Sequence, residues 1–146
     1  LPWGDPAFLC LVLSITVFGI GGVLGMFIDG TDTRTPAHYH GVIAGVTLAF
    51  MGLFFRFFLP LLGRTVGRVR FLIWAFAGGQ TLASLGLFLA GGYGAPRKVA
   101  GEAQGLDEMG AIVGMAMNGF GALIAVVGGV MFIWVCARRL LSTVDG

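Results

Sequence analysis

Four long apolar segments constrain the fold of this chain more than any other feature. They cover residues 7–28, 37–62, 71–91 and 109–137, and Arg56 is the only charged residue within them. A helix needs about 20 mostly apolar residues to cross a bilayer, and the strands of a membrane barrel would alternate apolar with polar residues. We therefore expect an all-α integral membrane protein, a four-helix transmembrane bundle that forms one membrane domain over residues 1–146.

The composition agrees with a membrane class and excludes an ordinary soluble domain. Hydrophobic residues make up 57% of the chain and charged residues 11%, whereas soluble domains have about 25% charged residues. The net charge of +2 is too small to indicate a nucleic-acid partner. Cys10 and Cys136 lie in apolar segments without a Cys-x-x-Cys-His motif, so we expect free thiols and no covalent haem attachment.

The basic residues predict the orientation of the chain. Cytoplasmic loops carry an excess of Lys and Arg. Six basic residues lie toward one side: Arg64, Arg68 and Arg70 in the connection after the second segment, Arg56 close by near the end of that segment, and Arg138 and Arg139 at the chain end. The connections 29–36 and 92–108 hold three: Arg34, Arg97 and Lys98. We expect both termini in the cytoplasm, in a bacterial cytoplasmic membrane, with the connections 29–36 and 92–108 on the outer face.

His38 and His40 are the only histidines, and they open the second segment. Each helical residue turns the side chain by about 100°, so positions i and i+2 face roughly opposite sides. One helix can therefore present one imidazole to each of two neighbours. Imidazole is an axial ligand of haem iron, and Arg97 and Lys98 at the same rim suit haem propionates. The alternatives are packed, hydrogen-bonded histidines, and an Arg97 that pairs with a lipid phosphate or with acidic loop residues.

Small residues and two amides complete the pattern within the segments. Glycines recur four residues apart in three segments: Gly21 and Gly25, Gly41 and Gly45, Gly110 and Gly114. This spacing lets helices approach closely, and Gly41 and Gly45 would also leave a smooth surface for a flat macrocycle. Gln80 and Asn118 are expected to form hydrogen bonds across helices, and the alternative for each is that it lines a polar path.

A GG-x-x-G run and a His-x-His motif in residues 17–52, followed by a Pro-Arg turn in residues 87–98, resemble subunit I of the haem-copper oxidases, the superfamily of cytochrome c oxidase and nitric oxide reductase. The run VFGIGGVLGMFIDGTDTRTPAHYHGVIAGVTLAFMG (17–52) is similar to the family's ninth and tenth helices, with a GG-x-x-G run followed by His-x-His. The run LFLAGGYGAPRK (87–98) is similar to the end of its eleventh helix, where a Gly-x-Pro-Arg-Arg stretch holds haem propionates. The resemblance therefore covers the family's four C-terminal membrane helices.

The resemblance implies a role for each matching residue. His38 would bind the high-spin haem that reacts with oxygen, and His40 would bind the low-spin haem that transfers electrons. Arg97 would hold a propionate, and Lys98 stands where the family has a second arginine. Tyr39 takes the place of the aromatic residue between the histidines. The haem would be b- or a-type and non-covalently bound.

The same resemblance also shows what the chain lacks. The family uses another histidine for its low-spin haem and three for copper, and this chain has none beyond His38 and His40. Copper would therefore come only from another chain. We expect a haem-binding subunit in respiratory electron transfer that works with other membrane subunits, with a c-type cytochrome as a conceivable donor. It would be the C-terminal third of a longer or split subunit, or a four-helix relative. The alternatives are a small b-type cytochrome and a structural or assembly subunit that has lost haem.

Overall fold

Four long helices form the chain in the computed structural model, which describes residues 1–28, 30–99 and 101–142. The helices are α1 (Pro6–Gly25), α2 (Arg34–Leu61), α3 (Arg70–Gly92) and α4 (Met109–Leu141). Each is long and apolar enough to cross a membrane. Within the described ranges no strand forms beyond an isolated bridge. The all-α class with four membrane helices is thereby confirmed. Residue 29 of the predicted connection 29–36 and residue 100 of the connection 92–108 lie outside the described residues.

Local chemistry sets the helix ends. The Asp5 carboxylate caps α1 by accepting hydrogen bonds from the backbone N–H groups of Ala7 and Phe8, and Pro6 occupies the first helical position. The helix ends at Gly25, three residues before the predicted end, since the next backbone N–H groups bond to carbonyls three residues back. Arg34 begins α2 three residues before the predicted start, because Pro36 is tolerated in a first helical turn.

The pattern of backbone hydrogen bonds changes near the end of α2. Phe54–Phe58 form a π-helical turn in which the Leu59 N–H bonds to the Phe54 carbonyl, five residues back. Pro60 follows and cannot donate a backbone hydrogen bond. The helix ends one residue later, as expected for a proline in the last turn.

Glycines set the distance between α1 and α2. A side-chain carbon added at Gly21 or Gly41 would meet the backbone of the other helix, and one at Gly45 would meet Phe18. The two backbones therefore approach as closely as their atoms allow, which is the packing predicted for these positions. α2 also packs on α3, and α1 reaches α3 beside it.

Small residues repeat every seven positions between α3 and α4. Carbons added at Gly79 or Gly86 of α3 would meet the α4 backbone, and carbons added at Gly114, Gly121 or Gly128 would meet the α3 backbone. Spacing by seven keeps these residues on one side of two antiparallel helices. Gly110, paired with Gly114 in the sequence pattern, instead faces the Tyr93 ring. α4 packs chiefly on α3, so much of its surface stays exposed.

The helices alternate in direction, so their connections lie at two ends. At one end, Arg64 after α2 donates hydrogen bonds to Ser142 after α4. At the other, the segment before α2 pairs with the segment after α3 through the Asp32–Pro96 bridge. Because four helices cross the membrane, the start of α1 and the end of α4 lie on the same side of it. That this side is cytoplasmic stays a prediction. Cys10 and Cys136 are buried free thiols, as expected.

Candidate functional site

His38 packs against the end of α1. Its Nδ1 lies 2.8 Å from the backbone carbonyl oxygen of Gly21, and its ring lies over Gly25, where an added side-chain carbon would approach Nδ1 to 2.6 Å. A carbonyl oxygen only accepts hydrogen bonds, so Nδ1 carries the proton and donates. In the neutral ring the lone pair is then on Nε2, the atom available to a metal.

His40 lies on the other side of α2, toward α3. Its Nδ1 is 3.3 Å from the side-chain oxygen of Gln80. Because an amide oxygen accepts, Nδ1 donates here too, and in the neutral ring the lone pair is then on Nε2. The hydrogen bond that we expected Gln80 to make across helices is therefore confirmed, while Asn118 lies beside Gly86 at the interface of α3 and α4.

A cleft of about 340 Å³ opens beside His40. Apolar groups dominate its lining, which includes Ile43, Ala44 and Phe76, and the Thr47 hydroxyl in it is bonded to the Ile43 carbonyl. His40 itself is exposed. A polar ring exposed on an apolar span is costly in hydrocarbon, which favours a cofactor or another helix at this cleft.

The segments on either side of the site are tied together at its rim. The backbone N–H of Thr33 donates to Ala95 (3.0 Å) and that of Arg97 donates to Thr31 (3.3 Å). The Thr33 hydroxyl donates to the Leu87 carbonyl of α3 at 2.7 Å. Arg97 is thereby fixed next to the start of α2, at the end of the bundle that holds both histidines.

An ion pair fixes the first turn of α2. The Arg34 guanidinium lies 2.6 Å from the Asp32 carboxylate, which also accepts the Arg34 backbone N–H at 2.8 Å. Gly91 of α3 packs against this pair, because a side-chain carbon there would meet Arg34 and Asp32. The helix that carries the histidines therefore starts from a rigid corner shared with α3.

The remaining predicted site residues occupy different surroundings. Tyr39 is exposed and lines the cleft beside His40. Gly41 and Gly45 are buried against α1, so here they serve helix packing, and their use as a haem surface stays a prediction. Lys98 is exposed in a turn with a left-handed backbone (φ 63°), and its binding role also stays a prediction.

The structure adds partners that the sequence did not assign to the site. Gly21 and Gly25 were interpreted only as packing residues, yet they receive the His38 ring. The spacing of residues around the histidines does not predict which backbone carbonyl accepts a hydrogen bond from them. The GG-x-x-G run close to the His-x-His motif is a sequence signal that indicates the contact. Among the described residues, no group of three His, Cys, Asp or Glu side chains converges on a metal site.

Comparisons with known proteins give distant similarities. No protein-family model matches the chain. The chain is 34% identical over 143 residues to an uncharacterized protein of Rickettsia prowazekii, covering 89% of this chain and 28% of that protein. It is 29% identical over 157 residues to cytochrome c oxidase subunit 1 of Thermus thermophilus, covering 97% of this chain and 28% of that subunit. An uncharacterized protein of Aquifex aeolicus is 43% identical over 51 residues, covering 35% of this chain and 13% of that protein.

These similarities support the resemblance only at a coarse level. The chain spans 28% of the length of the Rickettsia and Thermus proteins. The Thermus protein gives a distant link between nearly the whole chain and a subunit of a respiratory membrane enzyme. The four candidate transmembrane helices indicate an integral membrane protein, while a respiratory role and membership of the oxidase family stay predictions.

Proposed function

We propose that this chain is a haem-binding membrane subunit in respiratory electron transfer, similar to the C-terminal part of subunit I of the haem-copper oxidases. The observation that carries the proposal is the hydrogen bond from His38 Nδ1 to the Gly21 carbonyl. It orients the ring and leaves Nε2 as the ligand atom. Histidines that bind metals in proteins usually donate their other nitrogen in this way.

His40 supports the proposal from the opposite side of α2. Its Nδ1 bonds to Gln80, and a largely apolar cleft adjoins it. The cleft of about 340 Å³ is open on one side, so it would take one edge of a macrocycle, and a partner helix would cover the rest. The donor atoms and the apolar lining fit a non-covalent haem of b- or a-type.

Each residue of the site has a defined task in this proposal. Haem supplies one-electron exchange between its ferric and ferrous states. His38 and His40 hold iron through Nε2, while Gly21 and Gln80 fix the planes of their rings. Arg97, anchored at the rim beside Thr31, binds a propionate in the forked geometry of a guanidinium. Lys98 and Tyr39 add a further cation and an aromatic edge.

Other chains complete the function. This sequence offers no further histidine as a metal ligand, because His38 and His40 are the only two histidines in it. Reduction of oxygen or nitric oxide would need a metal centre completed by other helices, with any copper supplied by another chain. Electrons would reach the assembly from a donor such as a c-type cytochrome.

An optical experiment tests the proposal. The protein is purified in mild detergent with its partner chains, and reduced-minus-oxidised spectra and haem content are measured for wild type, H38A and H40A. We expect Soret and α-bands in the wild type and a loss of bound haem in each variant. F120A, on an exposed part of α4, is the matched control and should keep the wild-type haem content.

Two results would contradict the proposal. One is a stable, colourless wild-type complex. The other is full haem content in both histidine variants. A role as a structural or assembly subunit would account for either result.

A further inference from the structure

A second cleft lies at the end of the bundle opposite the histidines. It has a volume of about 430 Å³ and runs along the seam between the start of α1 and the end of α2. Ligand pockets typically have volumes of roughly 300–1,000 Å³. Small residues leave room for it, since Ala7, Ala49 and Gly52 line it together with the larger apolar side chains of Phe8 and Leu53. We call it the Asp5–Arg56 cleft.

Two opposite charges line this cleft. Asp5 and Arg56 line both it and an adjoining cavity of about 200 Å³. Asp5 uses one carboxylate oxygen, Oδ1, to cap α1, and the Arg56 guanidinium lies 5.7 Å from the centroid of the Phe57 ring. In the described part of the chain, the two side chains form no ion pair with each other. The cleft is therefore lined by one anion and one cation.

The apolar part of the cleft extends from these charges toward the membrane interior. Leu11 lines it on α1 and lies six residues after Asp5, which is roughly 9 Å along a helix axis. A ligand that fits has a headgroup with both charges at the rim and a hydrocarbon chain below it. This combination describes an amphiphile rather than a soluble metabolite.

We infer that the Asp5–Arg56 cleft binds a zwitterionic glycerophospholipid with an ethanolamine headgroup. Arg56 binds the phosphate through its guanidinium, and Asp5 accepts hydrogen bonds from the ammonium group through its second carboxylate oxygen. One acyl chain occupies the apolar part of the cleft. A choline headgroup has no N–H to donate, and a glycerol headgroup adds no cation for Asp5, so both bind more weakly.

Lipid retention tests this inference. The purified protein is exchanged into nanodiscs with equal amounts of phosphatidylethanolamine and phosphatidylglycerol, released into detergent, and examined by native mass spectrometry. We expect one retained phosphatidylethanolamine per chain. R56Q removes the phosphate ligand and should lower retention about tenfold, the effect of losing a charge-assisted hydrogen bond. R68Q makes the same charge change in the connection after α2 and should retain lipid as wild type does.

Two further variants keep the fold and change the site. D5N preserves the helix cap, because Asn caps as well as Asp, and it removes the anion, so retention should shift from phosphatidylethanolamine toward phosphatidylglycerol. A49L fills the apolar part and should lower retention of both lipids. Equal retention by R56Q and R68Q, an unchanged lipid ratio in D5N, or a wild type that retains no lipid or prefers phosphatidylglycerol would each overturn the inference. The cleft lies away from the histidines, so the outcome is independent of haem binding.

Discussion

Replacing Gly25 with alanine probes the contact that orients His38. The added methyl carbon would lie 2.6 Å from His38 Nδ1, whereas ordinary contact begins at 3.4 Å. The ring must therefore move by about 0.8 Å. If the ring moves directly away from Gly21, its 2.8 Å hydrogen bond lengthens to ~3.6 Å, at which no hydrogen bond remains.

The cost of this displacement can be estimated from the bond that is lost. A half-buried N–H without a partner costs about 1–3 kcal/mol, and a domain of this size loses about 2–4 °C in melting temperature for each kcal/mol. Thermal unfolding followed by circular dichroism in one fixed detergent measures the effect. We expect a lower melting temperature for G25A and, when haem is bound, a shifted Soret band.

Gly22 provides the matched control for this experiment. It lies three residues earlier on α1, and a side-chain carbon there would meet nothing within 4 Å. Alanine favours a helix over glycine by about 1 kcal/mol, so G22A should melt at or above the wild-type temperature. If G25A and G22A melt together, the Gly25 surface does not hold the His38 ring and the reasoning fails.

Further substitutions test the scaffold, each by thermal unfolding. G121L should separate α3 from α4 and lower the melting temperature sharply, because a side chain there meets the α3 backbone; G119L, which points into open space, should leave it nearly unchanged. S84A should be neutral or stabilising, since the buried Ser84 hydroxyl has no hydrogen-bond partner within the described structure; a clear loss would show a partner that forms in the membrane. T33V removes the buried hydrogen bond to Leu87 and should cost about 1–3 kcal/mol, and an unchanged melting temperature would contradict that contact.

The helices could be predicted because the membrane leaves few choices. Backbone groups in hydrocarbon must be satisfied within the segment, so a long apolar run is a helix. The assignment of His38 and His40 to different neighbours followed equally from the turn of about 100° per residue. Helix ends were less predictable, since α2 begins at Arg34 on the Asp32 carboxylate rather than after Pro36. An apolar count does not detect such local bonds.

The helix pairing and the partner of His38 could not be read from the sequence. The chain has 26 glycines, so spacings of four and of seven both occur, and only the structure shows that Gly114 and Gly121 pair α4 with α3. The acceptor for His38 is a backbone carbonyl, and every residue has one. Thr33 and Ala95, which are far apart in sequence, pair through backbone atoms alone. Such a bond does not depend on residue type, so the sequence cannot predict it.

The two ends of α2 differ in structure and in proposed role. Its first turns carry His38 and His40 and are fixed by bonds to α1 and α3, as a site that must hold two rings at set angles requires. Its last turns contain the π-helical segment and Arg56, and they face an open cleft. Rigid bonding at the histidine end lets the other end adapt to lipid without moving the imidazoles. For this reason, substitutions at Arg56 should alter lipid retention and leave the haem spectrum unchanged, whereas substitutions at Gly25 should do the reverse.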